Sequence, residues 1–408
     1  SYKDSGIEWI GEIPSHWETK RFGHLFSFSR GLGITKQDLK DQGIPCVNYG
    51  EIHSKYGFSV NPEIHQLKFV EETYLETADK SLLKRGDFVF ADTSEDIEGS
   101  GNFTVLDSDI PTFAGYHTII ARHEDGNHYK YLAYCFDSME FRNQIRSAVS
   151  GIKVFSITNA VLKGTKVQLP SSEEQTAIVS YLDHKTAEID ELIADKKRLL
   201  ELYEEEKTAI INQAVTKGIN PDVPMKDSGI EWLGEIPEHW EVKRINHIAN
   251  IVRGNTGFKK DELLDAGEYV ALQYGKTYKV NEVNDSFGFY VNSEFYKSNQ
   301  IVQFGDVILI STSETLEDLG HSCFYARQDL GLLGGEQILL RPIKSSVSGK
   351  YLFYSSKVFC VQLRKFARGV KVFRFNIDNL KEMYTVMPPL KEQQSIVRHI
   401  EVECARID

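Results

Sequence analysis

An internal duplication constrains the fold of this chain more than any other feature of its sequence. Residues 4–24 read DSGIEWIGEIPSHWETKRFGH and residues 227–247 read DSGIEWLGEIPEHWEVKRINH, so 16 of 21 positions are identical at an offset of 223. A repeat of this kind predicts two modules with the same fold. We call these two segments the leaders, and they contain all the tryptophans of the chain: Trp9, Trp17, Trp232 and Trp240. We expect each leader to pack against its own module and a helix.

The repeat continues more weakly beyond the leaders. GDFVF at 86–90 corresponds to GDVIL at 305–309, and the same tripeptide follows at 93–95 and at 312–314. GIKVF at 151–155 corresponds to GVKVF at 369–373. Between these landmarks, residues 30–74 and 253–296 share little beyond a Tyr-Gly pair. A common frame with divergent inserts is what two modules reading different targets would show, although drift in surface loops would look the same.

Residues 171–217 have the pattern of one long helix. Ser172 followed by Gln175 predicts a capping box at its start, and Gly218 predicts its end. At about 1.5 Å per residue, the helix would be roughly 70 Å long. Apolar residues recur with heptad spacing, which predicts a coiled-coil partner, and a second helix is predicted to begin near Pro389. The predicted seam and partner positions are Ile178, Leu182, Ile189, Leu192, Leu199, Tyr203, Ile210, Ile396 and Ile400.

The pattern therefore predicts an order of domain, helix, domain and helix. We expect a first domain at 1–170, a spacer helix at 171–217, a linker at 218–226, a second domain at 227–388 and the start of a second spacer helix at 389–408. The chain begins without Met and this last helix is about half as long as the first, so we expect a trimmed chain.

Composition leaves several function classes open and excludes others. The net charge is −12, but the helix at 171–217 alone has 11 acidic and 6 basic residues, so the total charge does not decide for or against DNA. The apolar runs are too short for a membrane span, so we expect no membrane partner. Five scattered cysteines without a C-x-x-C pair indicate reduced thiols and a cytoplasmic protein.

The sequence has no recognised catalytic motif. It lacks a phosphate-binding P-loop, a G-x-S-x-G elbow and an H-E-x-x-H zinc motif. The histidines that recur with the leaders have no Cys or carboxylate cluster beside them, so we interpret them as structural. We expect no metal and no cofactor in this chain, and the missing motifs are evidence against an enzyme.

Read together, the two-copy layout and four segments resemble the specificity (HsdS) subunits of type I restriction–modification systems. The segments are SGIEWIGEIPSHW at 5–17, EEQTAIV at 173–179, AVTKGINPDVPMKDSGIEWLGEIPEHW at 214–240 and KEQQSIV at 391–397. The resemblance implies a mixed α/β (α+β) fold, with two target-recognition domains separated by two long antiparallel coiled-coil helices and related by a pseudo-two-fold repeat.

The resemblance also implies the partners. Each domain would read one half of a bipartite site in double-stranded DNA, without catalysis by the subunit itself. Two methyltransferase subunits would modify adenine N6 with S-adenosylmethionine, and restriction and translocase subunits would supply the ATP- and Mg²⁺-dependent cleavage. Two like modules on antiparallel helices would meet their half-sites in the same way, so we expect the helix length to set a spacing of about 34–36 Å.

Candidate DNA contacts are side chains that can pair with bases or phosphates. In the first module they are Arg30, Lys36, Asn48, Lys55, Tyr56, Thr93, Ser94 and Lys153. In the second they are Arg253, Asn255, Lys259, Lys260, Gln273, Lys276, Tyr278, Thr312, Ser313 and Lys371. Because the Thr-Ser pairs are alike in both copies, they are as well explained as part of the frame. The matched lysines of the GxKVF segments suggest phosphate contacts, or simply solvated side chains.

Two other functions compete with DNA recognition. A nuclease would act on DNA alone, but the missing motifs are against it. A coiled-coil scaffold, or a specificity-like subunit of another defence assembly, would bind protein through the same helices. Steeply salt-dependent DNA binding in the company of a methyltransferase subunit would favour recognition.

Overall fold

Two compact units make up the chain, Ser1–Ile193 and Ala194–Asp408. The computed structural model describes residues 1–6, 10–123, 128–149, 151 and 154–408. Trp9 and Lys153 lie outside the described residues. Within the described ranges, no helix has the length and apolar character needed to cross a membrane.

The first unit contains short strands, short helices and the first part of one long helix. Its strands are β1 (Tyr2–Asp4), β2 (Glu12–Pro14), β3 (Glu18–Arg21), β4 (Phe26–Arg30), β5 (Ile44–Val47), β6 (Phe58–Val60), β7 (Lys68–Val70), β8 (Leu82–Leu83), β9 (Phe88–Ala91), β10 (Thr93–Ser94), β11 (Phe103–Leu106), β12 (Thr112–Ala114), β13 (Thr118–His123), β14 (Phe155–Ser156) and β15 (Lys166–Leu169). Its helices are α1 (Tyr49–Ser54), α2 (Tyr74–Thr77), α3 (Tyr129–Asp137), α4 (Met139–Arg146), α5 (Asn159–Gly164) and α6 (Ser172–Lys217), which continues into the second unit.

The second unit has the same sequence of strands. They are β16 (Met225–Asp227), β17 (Glu235–Pro237), β18 (Glu241–Arg244), β19 (Ala249–Arg253), β20 (Tyr269–Leu272), β21 (Glu282–Val283), β22 (Tyr290–Val291), β23 (Ile301–Val302), β24 (Val307–Ile310), β25 (Thr312–Ser313), β26 (Ser322–Tyr325), β27 (Gly331–Leu333), β28 (Gln337–Pro342), β29 (Phe373–Arg374) and β30 (Tyr384–Met387). Its helices are α7 (Tyr274–Thr277), α8 (Gly349–Leu363), α9 (Ile377–Lys381) and α10 (Leu390–Ile407).

The sheet topology is identical in the two units. Each has a five-stranded sheet, in the orders β4-β13-β9-β11-β6 and β19-β28-β24-β26-β21, and a four-stranded sheet, in the orders β7-β5-β12-β8 and β22-β20-β27-β23. Both sheets of each unit mix parallel and antiparallel pairs. The fold is thus repeated even across 30–74 and 253–296, where the sequences diverge. The predicted mixed α/β repeat is confirmed.

The central strands β9 and β24 of the two five-stranded sheets are buried on both faces. Along β9, Phe88 and Phe90 belong to one apolar cluster while Val89, between them, belongs to another. In β24, Val307 and Leu309 likewise lie on the opposite face from Ile308. Successive strand residues point to opposite faces, so a strand without polar residues requires cover on both sides. This explains why these strands are continuous apolar runs in the sequence.

The start of α6 differs by one residue from its predicted capping box. Ser171, not Ser172, is the capping residue, because the Glu174 backbone N–H donates to its hydroxyl at 3.3 Å and Glu174 Oε2 accepts from the Ser171 backbone N–H at 3.1 Å. Gln175 is buried instead, and its Oε1 accepts from the backbone N–H of His128, just before α3. Gln393 makes the equivalent bond to Ser348 before α8. This buried glutamine explains why the Glu-Gln pair recurs.

The leaders pack against the helix starts, as the sequence predicts. Trp240 is fully buried and its indole N–H donates to Glu392 Oε1 at 3.0 Å, while His239 contacts the other carboxylate oxygen at 2.8 Å. In the first unit, His16 lies 2.8 Å from Glu174 in the same way. Trp17 and Trp232 are half-buried. The histidines therefore bridge leader and helix, and no group of metal-ligating side chains is found in the described ranges.

Helix α10 packs antiparallel against the C-terminal part of α6. Lys207 of α6 forms an ion pair with Asp408, whereas Gln213 and Lys217, further along α6, border the same cavity as His399. Ile396 and Ile400 are fully buried beside Ala214 and Val215 of α6. Ile178, Leu182, Leu199, Tyr203 and Ile210 of the predicted seam are half-buried, and Ile189 and Leu192 are exposed. A helix partner for those two residues stays a prediction.

Candidate nucleic-acid interface

One end of each five-stranded sheet gathers side chains from several separate segments. In the first unit Arg30 ends β4, Asp92 follows β9 and His117 precedes β13. Arg30 Nη1 donates to Asp92 Oδ2 at 2.9 Å, and His117 Nδ1 lies 3.2 Å from Asp92 Oδ1. The ring of Tyr49 meets that of His117 edge-on, with 5.3 Å between centroids. The first strand-end surface is Arg30, Tyr49, Asp92, Thr93, His117 and Ser156.

The equivalent positions of the second unit carry different chemistry. We define the second strand-end surface as Arg253, Tyr274, Ser311, Thr312, Glu336 and Arg374. Here the hydroxyl of Thr312 donates to Glu336 Oε2, and Arg374 Nε lies 4.0 Å from the same oxygen. Arginine, tyrosine and threonine are common to both surfaces. Aspartate, histidine and serine in the first surface are replaced by serine, glutamate and arginine in the second.

The backbone beneath the two surfaces is the same. The N–H of Asp92 donates to His117 O at 3.0 Å, and the N–H of Ser311 donates to Glu336 O at 3.1 Å. The Thr-Ser pairs form β10 and β25, which pair with β14 and β29. This supports the interpretation that these tripeptides serve the frame. Ser94, Thr312 and Ser313 are buried, so they are wrong as exposed polar fingers.

Two glycines allow the segments beneath each surface to approach closely. A Cβ at Gly31 would lie 2.0 Å from the carbonyl oxygen of Gly115, and one at Gly254 would lie 1.9 Å from that of Gly334. Only glycine fits at these crossings. The crossings bring the end of β4 or β19 next to the turn that carries His117 or Glu336.

Several other predicted contacts are exposed, as a DNA contact requires. They are Lys36, Lys55, Arg253, Asn255, Lys259, Lys260 and Lys371. Lys371 lies in the loop between Gly369 and β29, beside Val370, which is 94% exposed. Lys276 is half-buried, with its Nζ 4.2 Å from the centroid of the Phe289 ring. These residues are outside the strand-end surfaces as defined here, except Arg253.

The structure is against a base-reading role for four predicted residues. Asn48 is buried, and its side-chain N–H donates to Glu51 at 3.2 Å in a cap of α1. Tyr56 is buried and donates to the carbonyl of Gln66 at 2.5 Å. Gln273 directly precedes α7 and is half-buried, and its side-chain oxygen is buried without a hydrogen-bond partner among the described residues. The bond from Tyr278 to the Asp318 carboxylate raises the pKa of Tyr278 to about 12, so its proton is committed to Asp318.

A cavity next to the first strand-end surface is lined by acidic residues. Glu95, Asp96 and Glu98 line it together with His53. His53 Nε2 donates to the carbonyl of Thr93 at 2.8 Å, so its Nδ1 accepts from Asn102 at 2.9 Å. Acidic groups repel phosphate and accept from amino groups. This cavity is therefore suited to amino or cationic groups and not to the DNA backbone.

Sequence reasoning missed Asp92, His117, Glu336 and Arg374. Each lies beside a segment that the repeat identifies, but the residues differ between the copies. Similarity between copies is the signal that revealed the frame, so it could not reveal these positions. Their common location becomes visible only when the strand pairing is known.

Comparison with known proteins places this chain among DNA specificity proteins. The family model for "Type I restriction modification DNA specificity domain" matches residues 14–202 and 237–402. The chain is 20% identical to the type I restriction enzyme EcoKI specificity subunit of Escherichia coli over 405 residues, 96% of this chain and 82% of that subunit. It is 23% identical to the MjaVIII specificity subunit of Methanocaldococcus jannaschii over 279 residues, 65% of this chain and 62% of that subunit.

Solved structures share the fold at low sequence identity. The HsdS subunit from Thermoanaerobacter tengcongensis is 16% identical, with a TM-score of 0.54 over 97% of this chain and 91% of that one. A chain from work on complex assembly and conformational transition of the type I R-M system is also 16% identical, with a TM-score of 0.69 over 97% and 92% of the two chains.

Proposed function

Since the chain belongs to the type I restriction–modification DNA specificity family and is a specificity subunit, we propose that each of its units reads one half of a bipartite DNA site. The observation that carries this proposal is the pair of strand-end surfaces. An identical backbone frame presents different side chains in the two units, which is what recognition of two unlike half-sites requires. Direct reading of bases needs different donors and acceptors at equivalent positions.

The groups that the two units share would position the DNA without reading it. Arg30 and Arg253 end matched strands, and Lys371 lies in a matched loop. Contacts with phosphate fix the register of a protein on DNA and do not depend on sequence. We assign these three side chains to the DNA backbone. The acidic helix α6 would remain away from it.

The long helices would act as the spacer. Their length would then set the separation of the half-sites, at about one turn of DNA. The leaders, packed on the helix starts, and the exposed apolar residues of α6 are suited to contact with two methyltransferase subunits. S-adenosylmethionine, ATP and Mg²⁺ would then belong to the methyltransferase and the restriction subunits, and the cytoplasm is the compartment of such a complex.

A methylome tests the proposal. The chain would be co-expressed with its methyltransferase subunit in cells that lack other adenine methylation, and modified adenines would be mapped. We expect one split motif with a fixed gap. Exchange of residues 30–156, which include the whole first strand-end surface, for those of a related subunit should change one half only. Absence of modification, with both proteins soluble and associated, would contradict the proposal and favour a scaffold.

Shortening both helices tests the spacer. Removal of four residues from each should change the gap and leave both half-sites as they were. Altered half-sites would contradict a spacer role.

A further inference from the structure

Three non-glycine residues of the described ranges have a positive φ angle: Phe58 (74°), His117 (54°) and Glu336 (61°). His117 and Glu336 occupy the same position of the repeat, immediately before β13 and β28. Each contacts other residues of its strand-end surface. The unusual backbone conformation is therefore a property of the shared frame, and it occurs where the two units differ in side chain.

Glycine would be the least costly residue in this conformation. The left-handed region strains an L-residue, whereas glycine adopts it freely. The chain uses glycine at many such places, including Gly86, Gly305 and Gly369. A side chain kept at this position in both units, at that cost, indicates a task for the side chain itself.

Both side chains are accessible, and each contacts its neighbours through one of its two polar atoms. The side chain of His117 is 56% exposed and that of Glu336 is 48% exposed. His117 bonds to Asp92 through Nδ1, and Glu336 contacts both Thr312 and Arg374 through Oε2. Within the part of the chain that the structure describes, His117 Nε2 and Glu336 Oε1 have no protein partner. Each side chain is thus oriented by contacts with its own unit and keeps one polar atom available for a hydrogen bond to a ligand.

We propose that His117 and Glu336 are specificity-determining residues, one for each half-site, that contact base edges through Nε2 and Oε1. This inference rests on the proposed function. A carboxylate oxygen only accepts hydrogen bonds, and the exocyclic N4 amino group of cytosine is the base-edge donor that Glu typically meets in the major groove. Glu336 therefore reads a cytosine, and His117 reads one base position in the other half-site.

The purely structural alternative makes a different prediction. If His117 served only to hold Asp92 and Arg30 in place, its loss would weaken the first unit without changing which bases are recognised. The same holds for Glu336 with Thr312 and Arg374. The experiment must therefore measure base preference and stability separately.

Glycine variants provide that separation. H117G and E336G remove the side chain and suit the local φ, so the unfolding temperature should change little. Each variant would be co-expressed with the methyltransferase subunit and its methylome compared with that of the wild type. H117G should relax one base position in one half-site and E336G one position in the other. The unchanged half-site is the internal control in both cases.

A binding measurement gives the magnitude. The complex of each variant with the methyltransferase subunit would be titrated with duplexes that carry the wild-type motif or a single substituted base pair. Wild-type discrimination at the position read should be about 10- to 100-fold, and the glycine variant should reduce it to about 2-fold or less. In E336Q the amide oxygen would stay with the donors Thr312 and Arg374, so a donor would replace the acceptor Oε1 and the preference for cytosine at that position should be lost.

The outcomes separate this inference from the proposed function. A split wild-type motif with both halves unchanged in H117G and E336G would refute the inference and leave the proposed function standing. Variants that lose stability and methylation rate, yet keep the wild-type motif in whatever is methylated, would also refute it, since that is the structural role. If the wild type itself yields no split motif, the proposed function and this inference are both refuted.

Discussion

The close crossing beneath the first strand-end surface gives a prediction with an internal control. Gly31 follows Arg30, and a Cβ at this position would lie 2.0 Å from Gly115 O and 2.2 Å from the Thr118 hydroxyl. Real Cβ atoms essentially never come closer than 3.0 Å, so G31A must move the two segments apart by about 1 Å. Two residues further on, a Cβ at Gly33 would have no atom within 4 Å. G33A is therefore the matched control.

The displacement should affect recognition more than folding. Forcing one methyl group into a packed site typically costs about 1–3 kcal/mol, which a unit of this size can tolerate. A misplacement of about 1 Å, however, separates Arg30 from His117 and can reduce the rate of a positioned reaction by about 100-fold. We expect methylation at the wild-type site to fall by about 10- to 100-fold with G31A and by less than 2-fold with G33A.

The assay is the rate of methyl transfer by the complex at limiting DNA, with the unfolding temperature as a parallel readout. In the second unit, G254A and its control G257A should behave in the same way, because a Cβ at Gly257 also has no neighbour within 4 Å. A G31A complex that methylates at the wild-type rate would refute the idea that this crossing positions the reading surface. Equal losses in G31A and G33A would refute it as well.

Three further predictions concern single side chains of the second unit. K371Q should weaken binding to all duplexes alike and reduce the steepness of log affinity against log salt concentration by about 1. The control K344Q, at an exposed lysine that follows β28, should change neither quantity. An unchanged salt dependence in K371Q would show that Lys371 does not contact phosphate. Arg341 donates to the Asp306 carboxylate, which is 1% exposed, at 2.6 and 3.1 Å. Because D306N leaves the Arg341 guanidinium without its anionic partner, it should lower the free energy of unfolding in urea titrations by about 3 kcal/mol. The control D378N, at an exposed aspartate, should lower it by less than about 0.5 kcal/mol. Burial lowers the pKa of Lys357 from 10.5 to about 8, so the unfolded chain keeps this proton to higher pH than the folded chain does. The free energy of unfolding should therefore rise between pH 8 and 10 by about 1.4 kcal/mol per pH unit. K357Q should lack this rise, and parallel curves of stability against pH for the two proteins would contradict the prediction.

The sequence alone determined the repeat, the order of the elements and the long helix. These depend on local patterns: apolar strands such as β9 and β24, the glycine after Lys217, and the heptad spacing of α6. It also identified the leaders as packing segments. Its error at the start of α6 was one residue, because Ser171 and Ser172 both have an acceptor three residues on and only burial of Gln175 distinguishes them.

Only the tertiary structure decided which polar side chains remain available. Asn48, Tyr56 and Tyr278 have suitable chemistry, but hydrogen bonds to Glu51, Gln66 and Asp318 engage their polar groups. The side-chain oxygen of Gln273 is buried. His117 and Glu336 have no sequence signal, because they are unlike each other and their shared feature is a φ angle. The first strand-end surface requires the ends of β4, β9 and β13 to meet at one place. Strand pairing between residues about 25 to 90 positions apart brings them there, and no local pattern records it.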